Sequence, residues 1–260
     1  MSNQTSPSTS PTNRLSRRKE MVPEDFPAKR PEVPLLSNTL FRILVFRKLL
    51  LLNDGRDKLL KVAQYTCKVL LWIYLTSKSE NQSKAKLIAS HFSLVRKCIR
   101  LGHALEPFHE CLEISKNPSF KTLQEKLAPL NCMIGIANDI ADDIICLSKL
   151  GAIDKSWVKK MTPYSDRLWY TSIFFDIHSN LCDTQEHIAA YENARDPEKK
   201  YKAQQKIFMG RVSLIKLLAD FVFCSIDVFE MGDRVSDGWQ AVTGLTTAVL
   251  GTYKLYVKNK

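Results

Sequence analysis

Beyond its first 34 residues, the chain repeats one pattern in which apolar positions recur every three or four residues. This period predicts amphipathic α-helices, and no segment alternates apolar and polar residues as a strand does. Pro107 is expected to close a helix, and Pro129 to mark a kink or a break. The predicted fold class is therefore all-α. The expected helices cover 38–52, 56–75, 84–105, 119–150, 164–191, 198–230 and 235–257.

The first residues of the chain follow a different pattern. Residues 1–34 are rich in Ser, Thr and Pro and lack the apolar run of a secretory signal. We therefore expect a disordered, cytosol-facing tail over 1–36 and a helical, membrane-associated domain over 37–260. A solvated tail without a role is the alternative. The candidate phosphorylation sites in the tail are Ser6, Ser10 and Ser16.

The segment 56–75 has two distinct faces. Four polar side chains share one arc of about 120° on a helical wheel, and aliphatic residues fill the opposite face. Lysines beside a broad apolar face are typical of a helix that lies in a membrane interface. The same pattern also fits an amphipathic helix packed on a soluble core. The candidate membrane-inserting residues are Arg56, Lys58, Leu59, Lys61, Val62, Gln64, Tyr65, Lys68, Val69, Leu70, Trp72 and Ile73.

A second candidate for membrane contact lies near the carboxyl end. The twenty residues 238–257 contain one formal charge, Lys254, and as a helix they extend about 30 Å, the thickness of a bilayer core. This predicts a transmembrane segment, and a buried amphipathic core helix is the alternative. The preceding apolar segment 207–229 contains four charged residues and is expected to pack on protein or at an interface. Glycines that permit close packing of the candidate span are Gly238, Gly244 and Gly251.

The overall charge favours acidic partners. Lys and Arg number 38 against 27 Asp and Glu, which gives a net charge of +11. The basic residues alternate with large aliphatic side chains, without a recognised nucleic-acid motif, so anionic membrane lipid is the expected partner and nucleic acid is not. A second basic block consists of Arg96, Lys97 and Arg100. The seven cysteines lack the spacing of a zinc or disulfide framework.

Motifs for catalysis are missing from the sequence. We find no phosphate-binding loop, dinucleotide fingerprint, nucleophile elbow or zinc-protease motif, and we expect no enzyme activity, cofactor or metal. Asp139, Asp142 and Asp143 share a helical face and suggest an alternative of another class. They could hold Mg²⁺ on a diphosphate, as in soluble all-α isoprenoid synthases. A second acidic motif is lacking, so a solvated or salt-bridged face is preferred.

Several blocks of the sequence resemble one family. Asn53 to Tyr65, which reads NDGRDKLLKVAQY, is similar to a conserved block of the peroxisomal biogenesis factor 11 family. Phe92 to Gly102 resembles the second block of that family, and Ile136 to Asp139 resembles its middle segment. Residues 234–257 are similar to its glycine-rich terminal membrane segment. Together the similar segments extend over about 37–257.

The resemblance implies an integral peroxisomal membrane protein whose termini face the cytosol. It implies elongation and remodelling of the membrane before fission, through insertion of the first amphipathic helix into one leaflet. Homo-oligomerisation and recruitment of the dynamin-type fission machinery are also implied, and Asn138 and Asp139 become structural residues. Because some members have been proposed to form metabolite-permeable pores, a peroxisomal metabolite channel is an alternative function.

Overall fold

The computed structural model describes residues 35–74, 80–116 and 121–260, and the regular structure in these ranges is helical throughout. The predicted all-α class is thereby confirmed. The tail, including Ser6, Ser10 and Ser16, lies outside the described residues, and the predicted boundary after residue 36 stays a prediction. The helices are α1 (Leu35–Leu51), α2 (Asn53–Tyr74), α3 (Glu80–Ile99), α4 (Leu105–Lys116), α5 (Leu123–Leu150), α6 (Ser156–Asn193), α7 (Pro197–Val228) and α8 (Asp237–Asn259).

Local capping signals explain several helix ends. The Thr122 side chain accepts a hydrogen bond from the Glu125 backbone N–H, and the Glu125 side chain accepts one in return from the Thr122 N–H, so α5 begins with a capping box. The same helix ends at Gly151, whose φ of 81° is in the left-handed region. Pro129 lies inside α5 without breaking it.

The helix expected over 84–105 ends six residues earlier in the structure, and α4, which follows it, was not predicted. α3 ends at Ile99, and the chain then turns through Gly102, whose φ is 78°. Pro107 lies in the first turn of α4, where a missing backbone N–H costs no helical hydrogen bond. The prediction that Pro107 closes a helix was wrong for this reason.

Six of the helices form a closed ring within the unit Phe41–Lys260. α2 contacts α3, and the ring continues through α5, α6, α7 and α8 back to α2. The contacts of α6 with α5 and α7 are extensive, whereas the contact between α3 and α5 is the sparsest in the ring. α4 packs on α5.

The interior of this ring is unusually polar. An aromatic cluster joins α6 to α7, with the Tyr170 and Phe221 ring centroids 5.3 Å apart. Asp57, Gln64 and Asp220 are at most 4% exposed. Many large apolar side chains are at the same time exposed, among them Leu70 and Ile73 of α2.

Candidate functional site

Helix α2 confirms the helix predicted over 56–75 and shows which way each of its faces points. Asp57 and Gln64 are buried, and the Lys61 side chain between them is 17% exposed. On the opposite side, Leu70 is 46% exposed and Ile73 is 52% exposed. The polar arc of α2 therefore faces the other helices, and its apolar arc faces outward.

The remaining predicted residues of α2 follow this division. Arg56 is exposed, and its Nε donates to the Leu50 carbonyl oxygen at 2.6 Å. Tyr65 is 6% exposed, and the Lys68 ammonium lies 5.1 Å from the centroid of its ring. Trp72 is 49% exposed. Four further residues of the set are half-buried: Lys58, Leu59, Val62 and Val69.

Arg96 of the second basic block joins α3 to the polar arc of α2. Its Nε donates to Asp57 Oδ1 at 2.8 Å, and its Nη1 donates to Gln64 Oε1 at 2.9 Å. Burial raises the pKa of Asp57, but the Arg96 guanidinium and the Lys58 ammonium outweigh burial, so the net pKa lies below its ordinary value. Arg96 thus contacts protein carboxylate and amide oxygens.

Lys61 makes the corresponding contact with α7. Its Nζ lies 3.7 Å from Asp220 Oδ1, and the Nζ of Lys216 lies 2.7 Å from the other oxygen of the same carboxylate. Burial lowers the pKa of Lys61 to about 8, although Asp220 opposes the shift. The lysine expected to lie among lipid headgroups is therefore enclosed between helices, where one carboxylate is shared by two ammonium groups.

The other two residues of the basic block connect the end of α3 with α5. Lys97 Nζ donates to Asp142 Oδ1 at 2.7 Å, and Arg100 Nη2 lies 3.4 Å from Asp139 Oδ1. His103 Nδ1 lies 2.8 Å from the second oxygen of Asp139, and this hydrogen bond raises the pKa of the imidazole.

The acidic cluster on α5 is thereby occupied by protein groups. Asp143 accepts a hydrogen bond from the Gly102 backbone N–H at 3.0 Å, which completes the set with Asp139 and Asp142. Over residues 35–74, 80–116 and 121–260, no group of His, Cys, Asp and Glu is arranged to hold a metal ion. The preferred salt-bridged interpretation of Asp139, Asp142 and Asp143 agrees with these contacts.

The three glycines of the candidate span lie along the contact between α8 and α2. A Cβ at Gly238 would overlap the Trp72 indole, and one at Gly244 would overlap the Tyr65 ring. At Gly251 a Cβ would lie 3.4 Å from Lys58 Cδ. All three glycines are buried, so they allow α8 to approach α2 closely.

The segment 238–257, for which a transmembrane helix was predicted, lies within α8. Within the described ranges, no helix has both the length and the apolar character needed to cross a membrane, and this includes α8. Within 238–257, Gln240, Lys254 and the threonines lower the mean hydropathy of α8.

An outward apolar stripe on α7 was missed by the sequence analysis. α7 packs on α6 and α8, as expected from its charged residues, and Asp220 is buried there, whereas the stripe is exposed. The seven-residue spacing was the available signal, since residues two turns apart share a face. The stripe residues are between 45% and 60% exposed: Tyr201, Phe208, Ile215 and Val222.

Comparison with known families now adds to this geometry. The sequence profile of the family described as peroxisomal biogenesis factor 11 (PEX11) matches residues 46–256. The chain belongs to this family. The matched region begins within α1 and ends within α8, so it includes all six helices of the ring.

Two curated relatives have sequences similar to this peroxisomal biogenesis factor 11 family member. Peroxisomal membrane protein 11B of Arabidopsis thaliana is 30% identical over 125 residues, which cover 48% of this chain and 52% of the relative. Peroxisomal membrane protein 11A of Bos taurus is 26% identical over 164 residues, which cover 61% of this chain and 63% of the relative. The chain thus spans between half and two thirds of these relatives. No solved structure matches significantly.

Family membership and the names of both relatives support a role as a peroxisomal membrane protein. The family is one of biogenesis factors and is not known for enzymes.

Proposed function

We propose that this protein elongates and remodels the peroxisomal membrane, with the outward apolar face of α2 inserted among lipid acyl chains. One observation carries the proposal: α2 directs its polar arc into the helix ring and leaves Leu70 and Ile73 about half exposed. Water is an unfavourable medium for such a face, whereas acyl chains cover it at no polar cost. Covering the exposed half of each side chain contributes about 1 kcal/mol.

The internal ion pairs give α2 a particular mechanical role. In a free interfacial helix, lysines extend to the headgroups and keep the axis parallel to the surface. Here Asp57 attaches α2 to α3 through Arg96, and Lys61 attaches α2 to α7 through Asp220. The apolar face therefore enters the leaflet as part of a rigid body. Expansion of one leaflet relative to the other then favours positive curvature.

The finer features implied by the family resemblance belong to the same proposal. These are integral attachment with both termini in the cytosol, contact with anionic lipid, homo-oligomerisation, and recruitment of dynamin-type fission machinery. A metabolite channel requires an open polar path. The geometry favours remodelling, because the polar side chains of α2 are engaged in contacts between helices, Asp57 with Arg96 and Lys61 with Asp220.

Vesicle deformation by the full-length protein tests the proposal. We expect wild-type protein to bind vesicles containing anionic phospholipid and to draw tubules from them, as seen by electron microscopy. The double variant Leu70→Glu/Ile73→Glu should bind weakly and form no tubules, because two charges then lie on the inserted face. The matched control is Gln204→Glu/Gln205→Glu, which adds the same charge at exposed polar positions on α7.

The control variant should behave as wild type, and circular dichroism should show equal helix content in all three proteins. Tubulation by the Leu70→Glu/Ile73→Glu protein would contradict the insertion of α2. Equal loss of tubulation in the control would show that net charge, and not the apolar face, is responsible.

A further inference from the structure

Two cysteines meet where α3 passes α5. The Sγ atoms of Cys98 and Cys146 lie 3.8 Å apart, although the residues are 48 positions apart in the sequence. Cys98 is exposed, whereas Cys146 has 0% exposure. One thiol is thus accessible from outside the protein, and its neighbour is enclosed behind it.

The position of this pair in the ring gives it structural significance. The α3–α5 contact is the sparsest of the six, and noncovalent ionic contacts such as Lys97 with Asp142 hold it together. Cys98 directly follows Lys97, so the two thiols lie beside that ion pair. A covalent bond here would reinforce the ring at its sparsest contact.

We propose that Cys98 and Cys146 are an oxidation site at which hydrogen peroxide forms a reversible intramolecular disulfide. The sulfur of Cys98, as its thiolate, attacks one peroxide oxygen and the O–O bond breaks, which yields a sulfenic acid and hydroxide. Hydroxide takes up the proton that Cys98 released and becomes water.

The second step uses the buried cysteine. The Cys146 sulfur attacks the Cys98 sulfur and the S–O bond breaks, and the departing hydroxide leaves as water with the Cys146 proton. In total, two thiols are oxidised and one peroxide is reduced to two waters. Burial, together with the neighbouring Cys98, raises the pKa of Cys146 to about 11, which assigns the first attack to the exposed Cys98.

The geometry requires only a small movement. A disulfide brings the two sulfurs to about 2.05 Å, so they must approach by roughly 2 Å. A low-molecular-weight thiol can reverse the bond by exchange. This inference rests on the α3–α5 contact alone and holds whichever surface of the protein meets lipid.

Thiol counting on the full-length protein, purified in detergent, tests the inference. After treatment with hydrogen peroxide, a maleimide should label five of the seven cysteines under denaturing conditions, and dithiothreitol should restore all seven. In the Cys98→Ser and Cys146→Ser variants, peroxide treatment should not lower the number of cysteines that the maleimide labels. Since Cys98 is exposed, its variant tests the inference even if Cys146→Ser fails to fold.

Cys132→Ser is the matched control, because Cys132 is also buried on α5 and lies on the same tryptic peptide, 127–149, as Cys146. In this variant, mass spectrometry should still find Cys98 joined to that peptide, and its one remaining cysteine identifies the bond. A disulfide elsewhere, a disulfide between two chains, or seven reactive thiols after peroxide would each overturn the inference.

Discussion

Arg96 on α3 and Asp57 on α2 form an ion pair with 2.8 Å between Nε and Oδ1, across 39 positions of sequence. The two residues belong to the two blocks that most clearly resemble the peroxisomal biogenesis factor 11 family. The side chains of both are at most 15% exposed. These two blocks of sequence therefore meet in one interhelical contact.

Replacing Arg96 with Ala should destabilise the protein strongly. The substitution leaves Asp57 buried without its main cation, and breaking a buried pair from one side costs about 3–5 kcal/mol. Denaturant unfolding in detergent, followed by circular dichroism, measures this loss. Adding Asp57→Asn to Arg96→Ala should recover part of it, because the uncompensated charge is removed.

The control for that measurement is Lys202→Ala, which breaks the exposed pair with Glu198 on α7. We expect no measurable change, because solvent screens such pairs. Equal stability of the Arg96→Ala and wild-type proteins would show that the Asp57 contact contributes little.

Two glycines of α8 should respond differently to alanine. At Gly244 the new methyl overlaps the buried Tyr65 ring, so Gly244→Ala should destabilise by about 1–3 kcal/mol. At Gly251 the nearest atom, 3.4 Å away, belongs to the flexible Lys58 side chain. Gly251→Ala should be neutral or stabilising by up to about 1 kcal/mol, since alanine favours helix. Thermal unfolding compares the two, and equal effects would contradict the close α2–α8 contact.

His103 should make stability depend on pH. Its hydrogen bond to Asp139 raises the pKa of the folded imidazole above the ordinary 6.5. The stabilisation is therefore complete below pH 6.5 and is lost as pH rises through the higher folded value. Unfolding midpoints measured across this range should fall with pH in wild type and fall less in His103→Gln. Parallel profiles would indicate that His103 does not titrate with folding.

The tail prediction concerns residues outside the described structure. Deletion of 1–34 should leave membrane attachment intact, because α2 lies beyond the deleted segment. Replacing Ser6, Ser10 and Ser16 with Ala should change peroxisome number or length modestly. Each phosphate on these serines would add about −1.5 to −2 charges and weaken the attraction of the basic residues of the tail to an anionic membrane or acidic partner. Fluorescence microscopy of tagged protein measures both, and loss of targeting on deletion would show that the tail is required.

Local sequence determined the helices and many of their ends. The apolar period predicted α2 and α5–α8 with end points within about eight residues, and Thr122 with Glu125 is a recognisable capping box. These features are local, since each depends on residues one or two turns apart. The α3–α4 boundary was missed because Pro107 suits the first turn of a helix as well as the residue after one.

Only the tertiary structure decided which medium each helical face meets. A helical wheel places Lys61 and Leu70 on different faces of α2, but it does not show which face packs on protein and which is exposed. The direction was set by Asp57, Asp220 and Arg96, whose charges pair between helices and draw the polar arc inward. Arg96 pairs with Asp57 and Asp220 pairs with Lys61. In both pairs the two residues are distant in sequence, so no local pattern reveals the pairing. For the same reason α8 is a close-packed neighbour of α2 whose small residues, including Gly244, face inward.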